Sequence, residues 1–160
     1  MEAIDVARYF ITLNNKESEE SGEKTDLSKL KIQKLLYYAQ GYYSALYDKP
    51  LFEEEIQAWD HGPVVKAVYD EFKSIDGNFI PTDSNKMSEE NIQKIDKRDK
   101  ELIEDVFQLM GQYSAWKLRE KTHEEYPWRD TYKKDAKNIV IPQDKIKKYF
   151  KQYVEKDEQN

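Results

Sequence analysis

Residues 27–48, which read LSKLKIQKLLYYAQGYYSALYD, carry the strongest amphipathic pattern in the chain. Apolar side chains recur there at every third or fourth position, as they do on one face of an α-helix. The predicted stripe comprises Leu27, Leu30, Ile32, Leu35, Leu36, Ala39, Tyr42, Tyr43 and Leu46. We expect Thr25 or Asp26 to cap this helix. Gly41 lowers the stability of this helix by about 1 kcal/mol relative to alanine. We therefore expect another element to approach closely at this position.

The segments on either side of this helix also favour helical structure. The predicted helices cover residues 3–13, a segment that starts at Gly62 and Pro63, residues 88 to about 111, residues 115–125, and a last segment that Pro142 opens. Short strands are expected at residues 54–59, 79–80 and 139–141, and Tyr126, Pro127 and Trp128 should form a turn. The polar, acidic residues 14–25 are expected to form a mobile loop.

These elements predict one domain over residues 1–160, with a frayed C-terminus after about residue 155. The fold class is mainly α: a single compact helical domain of about six helices, with at most a small two- or three-stranded β element. Although only 38% of the residues are hydrophobic, the chain includes 12 Tyr, 6 Phe and 3 Trp. A few large aromatic side chains suffice to build one core.

The charge and cysteine content exclude several functions. The chain has no cysteine, which excludes disulfides, thiolate metal sites and cysteine nucleophiles. A net charge of −6 disfavours general binding to nucleic acid. Residues 133–151 nevertheless carry seven lysines against Asp135 and Asp144, which indicates either a solvated helix face or a docking patch for an acidic partner or DNA. The absence of a signal peptide and of a long apolar stretch predicts a cytoplasmic protein without a membrane segment.

No catalytic pattern is evident in the sequence. The two histidines, His61 and His123, are 62 positions apart and neither lies in a metal-ligand spacing. No glycine-rich phosphate loop and no Gly-x-Ser-x-Gly motif occurs. We therefore predict no catalytic residue, no metal ligand and no cofactor.

The tryptophans indicate a binding function more than a catalytic one. Trp59 precedes a turn, and Trp128 follows a proline in another. Large aromatic side chains on turns can anchor a partner, or they can close the ends of a helical core. A helix start at Gly62 and Pro63 would also leave free N–H groups for a partner's carboxylate.

Four segments in series resemble one family. They are KIQKLLYYAQG at residues 31–41, PLF with EEIQAW at residues 50–59, HGPVV with Val68 and Tyr69, and Leu118 with Thr122, His123, Glu125, Pro127 and Trp128. Together they are similar to the Panacea domain, the SocA-like antitoxin or GepA-like phage-associated family. The resemblance implies an antitoxin of a bacterial or prophage toxin–antitoxin system, which neutralises a cognate toxin, usually encoded by an adjacent gene, by direct binding.

The resemblance and the aromatic turns suggest which residues contact the partner. The predicted contacts are Lys34, Tyr37, Tyr38, Trp59, His61, Gly62, Pro63, His123 and Trp128. Leu35, Leu36, Val64 and Val65 are expected in the core. The alternatives are a DNA-binding regulator of its own operon, a protease adaptor that delivers a toxin for degradation, and a hydrolase that uses His61 and His123.

Overall fold

The computed structural model describes the backbone of residues 1–158 and the side chains of residues 1–154. Its helices are α1 (Ala3–Ser21), α2 (Lys29–Tyr47), α3 (Lys66–Phe72), α4 (Glu89–Gln93), α5 (Lys97–Met110), α6 (Ala115–Glu124), α7 (Tyr126–Arg129) and α8 (Gln143–Glu158). Its strands, β1 (Ile56–Trp59) and β2 (Gly62–Val65), form an antiparallel pair. The predicted fold class, mainly α with a small β element, is confirmed. The fraying expected after about residue 155 concerns residues that lie largely outside the described part of the chain.

The described residues contain eight helices because two predicted segments are divided differently. The segment from residue 88 to 111 breaks before Asp96, whose side chain accepts a hydrogen bond from the Arg98 N–H and caps α5. The predicted turn at Tyr126, Pro127 and Trp128 is instead the one-turn helix α7. Glu125, which precedes α7, has an extended backbone. Pro127 lies in the first turn of α7, where proline is tolerated because its missing N–H is not needed.

The predicted acidic loop at residues 14–25 is wrong for most of its length, since α1 continues through Ser21. Gly22 ends the helix in the left-handed conformation (φ 77°), and its N–H donates to the Ser18 carbonyl. The Ser18 hydroxyl lies 3.2 Å from the Thr25 hydroxyl, which ties the following segment back to the helix. Polar composition alone therefore did not distinguish a solvated helix end from a loop.

Helix α2 is the central element of the molecule, packed against α1, α3, α5, α6, α8 and β2. Ser28, not Thr25 or Asp26, caps it by accepting a hydrogen bond from the Lys31 N–H. The predicted one-sided stripe is wrong: α2 is buried on nearly every side, and Lys34, expected outside the stripe, is fully buried. Leu46, expected inside the core, is 44% exposed.

The prediction that Gly62 and Pro63 begin a helix is also wrong, because they belong to strand β2. A two-residue turn at Asp60 and His61 connects β1 to β2, and α3 begins only at Lys66. Pro63 lies opposite Ala58, whose N–H points away from β2 and donates to the Ile139 carbonyl. Because neighbouring pairs in an antiparallel ladder alternate, the missing N–H of Pro63 removes no bond between the two strands.

The expected strand at residues 139–141 is present only as a single bridge between Gln57 and Val140, with one hydrogen bond on each side. The brief strand expected at residues 79–80 is likewise one bridge, between Ser28 and Phe79. The close approach expected at Gly41 is confirmed. A Cβ atom there would lie 2.2 Å from the Phe150 ring of α8. This contact sets the distance between α2 and α8.

Candidate partner-binding groove

A groove of about 970 Å³ runs between α2, the β1–β2 hairpin and α3. It is lined by residues of the first turns of α2, of both strands and of α3, together with residues 78–79 and 136–138. Its aromatic lining residues are Trp59, Tyr69, Phe72 and Phe79. Its charged and imidazole lining residues are Lys29, Lys34, Asp60, His61, Lys66, Lys73 and Lys137. We call this surface the α2–α3 groove.

Two side chains of α2 hold the hairpin in place by bonding to the outer edge of β2. The Gln33 side chain accepts from the Val65 N–H at 2.7 Å and donates to the Val65 carbonyl at 3.3 Å. The Lys34 ammonium donates to the Pro63 carbonyl at 3.1 Å. Backbone groups at a strand edge need partners when they are buried, and these bonds supply them.

Lys34 is an ionisable group with no exposed surface. Burial, with a smaller contribution from the Arg119 guanidinium, lowers the pKa of Lys34 to about 7. Gly62 provides the space for this side chain: a Cβ atom there would lie 2.8 Å from the Lys34 Cε and 2.9 Å from the Thr122 hydroxyl. Gly62 also has a φ of 108°, which side-chain-bearing residues rarely adopt.

The hairpin turn reaches the protein surface between α3 and α6. The Arg119 Nε donates to the His61 Nδ1 at 3.0 Å, so the Nε2 of a neutral His61 carries the proton. Trp59 packs edge-to-face against Tyr69 of α3, with ring centroids 4.8 Å apart. The Tyr132 hydroxyl donates to Asp60. These contacts fix the turn from both sides.

His123 and Trp128 form a stacked pair behind the hairpin. Their ring centroids lie 3.9 Å apart at an interplanar angle of 2°, and the Trp128 Nε1 donates to the Trp59 carbonyl at 2.7 Å. Burial, followed by the charges of Arg119 and Lys34, lowers the pKa of His123. The pair therefore joins α6 and α7 to β1.

Glu125 is a buried carboxylate that the sequence-based prediction of site residues did not include. The hydroxyls of Tyr37 and Tyr38 donate to its two oxygens at 3.0 and 2.8 Å. Burial raises the pKa of Glu125 to about 7, although the hydrogen bonds from Tyr38 and Tyr37 act in the opposite direction. Glu125 and the tyrosine pair lie in two of the four family-like motifs, which was the available signal, but their contact could not be inferred from sequence.

The structure divides the predicted contact residues into two groups. Six of them are buried: Lys34, Tyr37, Tyr38, Gly62, Pro63 and Trp128. That these six contact a partner stays a prediction. They hold α2, the hairpin and α7 together. Trp59 is partly buried and His61 exposed, and both line the α2–α3 groove. His123, also partly buried, lies outside the groove lining.

The basic segment at residues 133–151 does not form one continuous patch. Lys147 and Lys151 both pair with Asp48 at the end of α2, at 2.9 and 3.1 Å. Lys137 instead lies at one end of the α2–α3 groove. The charge is therefore distributed over two faces of the described structure.

Neither a metal site nor a membrane-spanning helix is found among the described residues. Within the described residues, no group of three or more His, Asp or Glu side chains is arranged to hold a metal ion. None of the described helices is both long and apolar enough to cross a membrane.

Comparison with known proteins gives one match. A family model described as "Antitoxin SocA-like, Panacea domain" matches residues 32–129, more than half of the 160 residues. No curated protein and no solved structure matches the chain significantly. The matched region includes most of α2, the hairpin, Glu125, the His123–Trp128 pair and most of the α2–α3 groove residues. The chain therefore belongs to the SocA-like antitoxin family defined by the Panacea domain.

Proposed function

We propose that this protein is the antitoxin of a toxin–antitoxin system and that it neutralises its toxin by direct binding. The observation that carries the proposal is the family match over residues 32–129, which identifies an antitoxin-like domain. The structure supports a binding function with a groove of about 970 Å³ that exposes aromatic side chains. Neutralisation by covering a toxin needs surface area and shape, and requires no catalytic group.

The size of the molecule suits this function. A stable protein–protein interface buries roughly 800 Å² on each partner, and the described chain exposes 9324 Å². Aromatic anchors surrounded by charged side chains are typical of the energetically important part of such an interface. We propose that the α2–α3 groove forms this part, that the toxin is encoded by an adjacent gene, and that both proteins act in the cytoplasm.

The test is co-expression of the chain with the product of each neighbouring gene under separate inducible promoters. We expect one product to arrest growth alone and growth to recover when the chain is also induced. The two proteins should then co-purify and elute together in size-exclusion chromatography. The matched control for the burden of expression is the same gene with stop codons in place of the codon for Lys29. If no neighbouring product is toxic, or if recovery occurs without a complex, the proposal of neutralisation by binding fails.

The same experiment distinguishes inhibition from delivery to a protease. Direct neutralisation leaves the amount of toxin unchanged, whereas an adaptor lowers it through degradation. We expect the toxin concentration, followed by immunoblot after translation is stopped, to stay constant or rise when the chain is induced. A toxin half-life that shortens on induction would instead support the adaptor function.

A further inference from the structure

We propose that the α2–α3 groove binds an acidic amphipathic segment of the toxin, in which apolar side chains are flanked by Asp or Glu. This inference rests on the proposed antitoxin function and specifies the chemistry of the partner. It is based on two properties of the groove: its charge is opposite to that of the whole chain, and its lining includes exposed aromatic rings.

The charge of the groove is the first observation. Five lysines line it against one carboxylate, Asp60, among the described lining residues. Lys34 is buried, and the other four, Lys29, Lys66, Lys73 and Lys137, are partly or fully exposed. The chain as a whole carries a net charge of −6. Asp60 already accepts a hydrogen bond from Tyr132. Asp70, outside the lining, lies 2.8 Å from Lys66 and 3.5 Å from Lys73, so one negative charge is shared between two cations. The groove therefore retains an excess of positive charge and favours acidic side chains.

The apolar lining is the second observation. Tyr69 is 44% exposed and Phe79 is 58% exposed, and both lie in the same groove as Trp59. Single exposed apolar residues are common on protein surfaces, but several in one concave surface indicate a binding site. Burial of such rings by a partner contributes about 25 cal/mol per Å² of apolar surface. Carboxylates alone would leave these rings in water, so the ligand needs apolar side chains between its acidic ones.

These properties favour a protein segment over nucleic acid. A nucleic acid backbone is polyanionic and would be repelled by the net charge of −6 on the whole chain. A short acidic segment needs only the local field of the groove, since charges more than about 8 Å apart are screened at physiological ionic strength. The toxin segment would place its apolar side chains on the rings and its carboxylates toward the lysines at the edge.

The test uses charge reversal on the full-length chain, with the toxin identified by growth rescue as the probe. Lys73 and Lys137 are exposed lining residues, and we would combine K73E with K137E. The matched control combines K94E with K97E, which are also exposed and also pair with nearby acids, but lie outside the groove. We expect the groove variant to raise the Kd for the toxin at least 10-fold at 100 mM salt, and the control to change it less than 2-fold.

A second pair of variants tests the aromatic rings. We would combine Y69S with F79S, and compare them with L109S, a 47% exposed residue outside the groove. The groove variant should weaken toxin binding at least 10-fold, while L109S should not. Circular dichroism melts that agree with the wild type would show that each variant is folded. Changing the acidic residues of the toxin segment that binds the groove to lysine should restore binding to the variant that combines K73E with K137E.

The outcomes separate this inference from the proposed function. If the toxin is neutralised and its Kd is the same for the groove and control variants, the α2–α3 groove is not the binding site, while the antitoxin function stands. If no toxin is neutralised at all, both proposals fail. If the groove variants abolish binding to a duplex oligonucleotide and leave toxin binding intact, the groove is a nucleic-acid site and the inference is overturned.

Discussion

Glu125 illustrates how one buried carboxyl group links stability to pH. Its pKa is about 7 in the folded chain, against 4.5 as its ordinary value. The folded state therefore holds a proton that the unfolded state releases between pH 4.5 and 7. The stabilisation that results from this proton on Glu125 is fully present below pH 4.5 and is lost as the pH rises through 7.

Replacing Glu125 by Gln removes this titration but keeps an acceptor for the tyrosine hydroxyls. The wild type should lose up to about 2 kcal/mol of unfolding free energy between pH 5 and pH 8 relative to the E125Q variant. Urea unfolding of both proteins at several pH values measures this difference. Parallel pH profiles would contradict a raised pKa at Glu125.

Lys34 should have the opposite effect to Glu125: above neutral pH it should make the free energy of unfolding rise with pH. Its pKa is lowered to about 7, whereas an unfolded lysine keeps a pKa of 10.5. Between these values the unfolded state binds more protons, so stability rises with pH. Relative to the K34M variant, the wild type should gain about 2 kcal/mol of unfolding free energy from pH 6 to pH 9.

At the scale of elements, the packing of α2 on α8 depends on a residue without a side chain. Alanine at position 41 would gain about 1 kcal/mol in helix propensity. Its Cβ atom, however, would overlap the Phe150 ring at 2.2 Å. We expect G41A to lower the unfolding free energy by about 1–3 kcal/mol overall, since overpacking forces the ring or the helix to move.

A double variant shows whether this ring is the cause. Phe150 replaced by Leu creates space beside position 41, so F150L combined with G41A should be less destabilised than the sum of the two single changes. Thermal or urea unfolding of the four proteins gives the coupling energy. If the changes in unfolding free energy caused by G41A and F150L are strictly additive, or if G41A alone stabilises the protein, α8 does not press against Gly41.

At the scale of the whole molecule, the enclosure of α2 predicts an order of local opening. Helix α2 is surrounded by six other elements, whereas α4 contains no buried residue. The amides of α2 should therefore exchange with deuterium only through global unfolding, and those of α4 through local opening. Hydrogen exchange followed by mass spectrometry should give the slowest peptides in residues 32–45. Exchange of α2 at the rate of α4 would contradict its central position.

The sequence by itself determined the features that depend on neighbouring residues. The 3.6-residue spacing of apolar side chains predicted most of the helices, and the helix starts predicted at residues 88 and 115 agree with α4 and α6, which Ser88 and Ser114 cap. The family-like motifs predicted the membership that the family match confirms. A cap or a periodic face involves residues three or four positions apart, so no knowledge of distant contacts is needed.

Only the tertiary structure decided which of these residues are accessible. Gly62 and Pro63 form a strand rather than a helix start because Gln33 and Lys34 bond to the edge of β2, 32 and 29 positions away in sequence. Tyr37 and Tyr38 are interior because Glu125 accepts both hydroxyl groups. The α2–α3 groove combines lysines from α2, α3 and the segment before α8. Burial and charge at a point in space depend on every element that meets there, whereas sequence periodicity describes one element at a time.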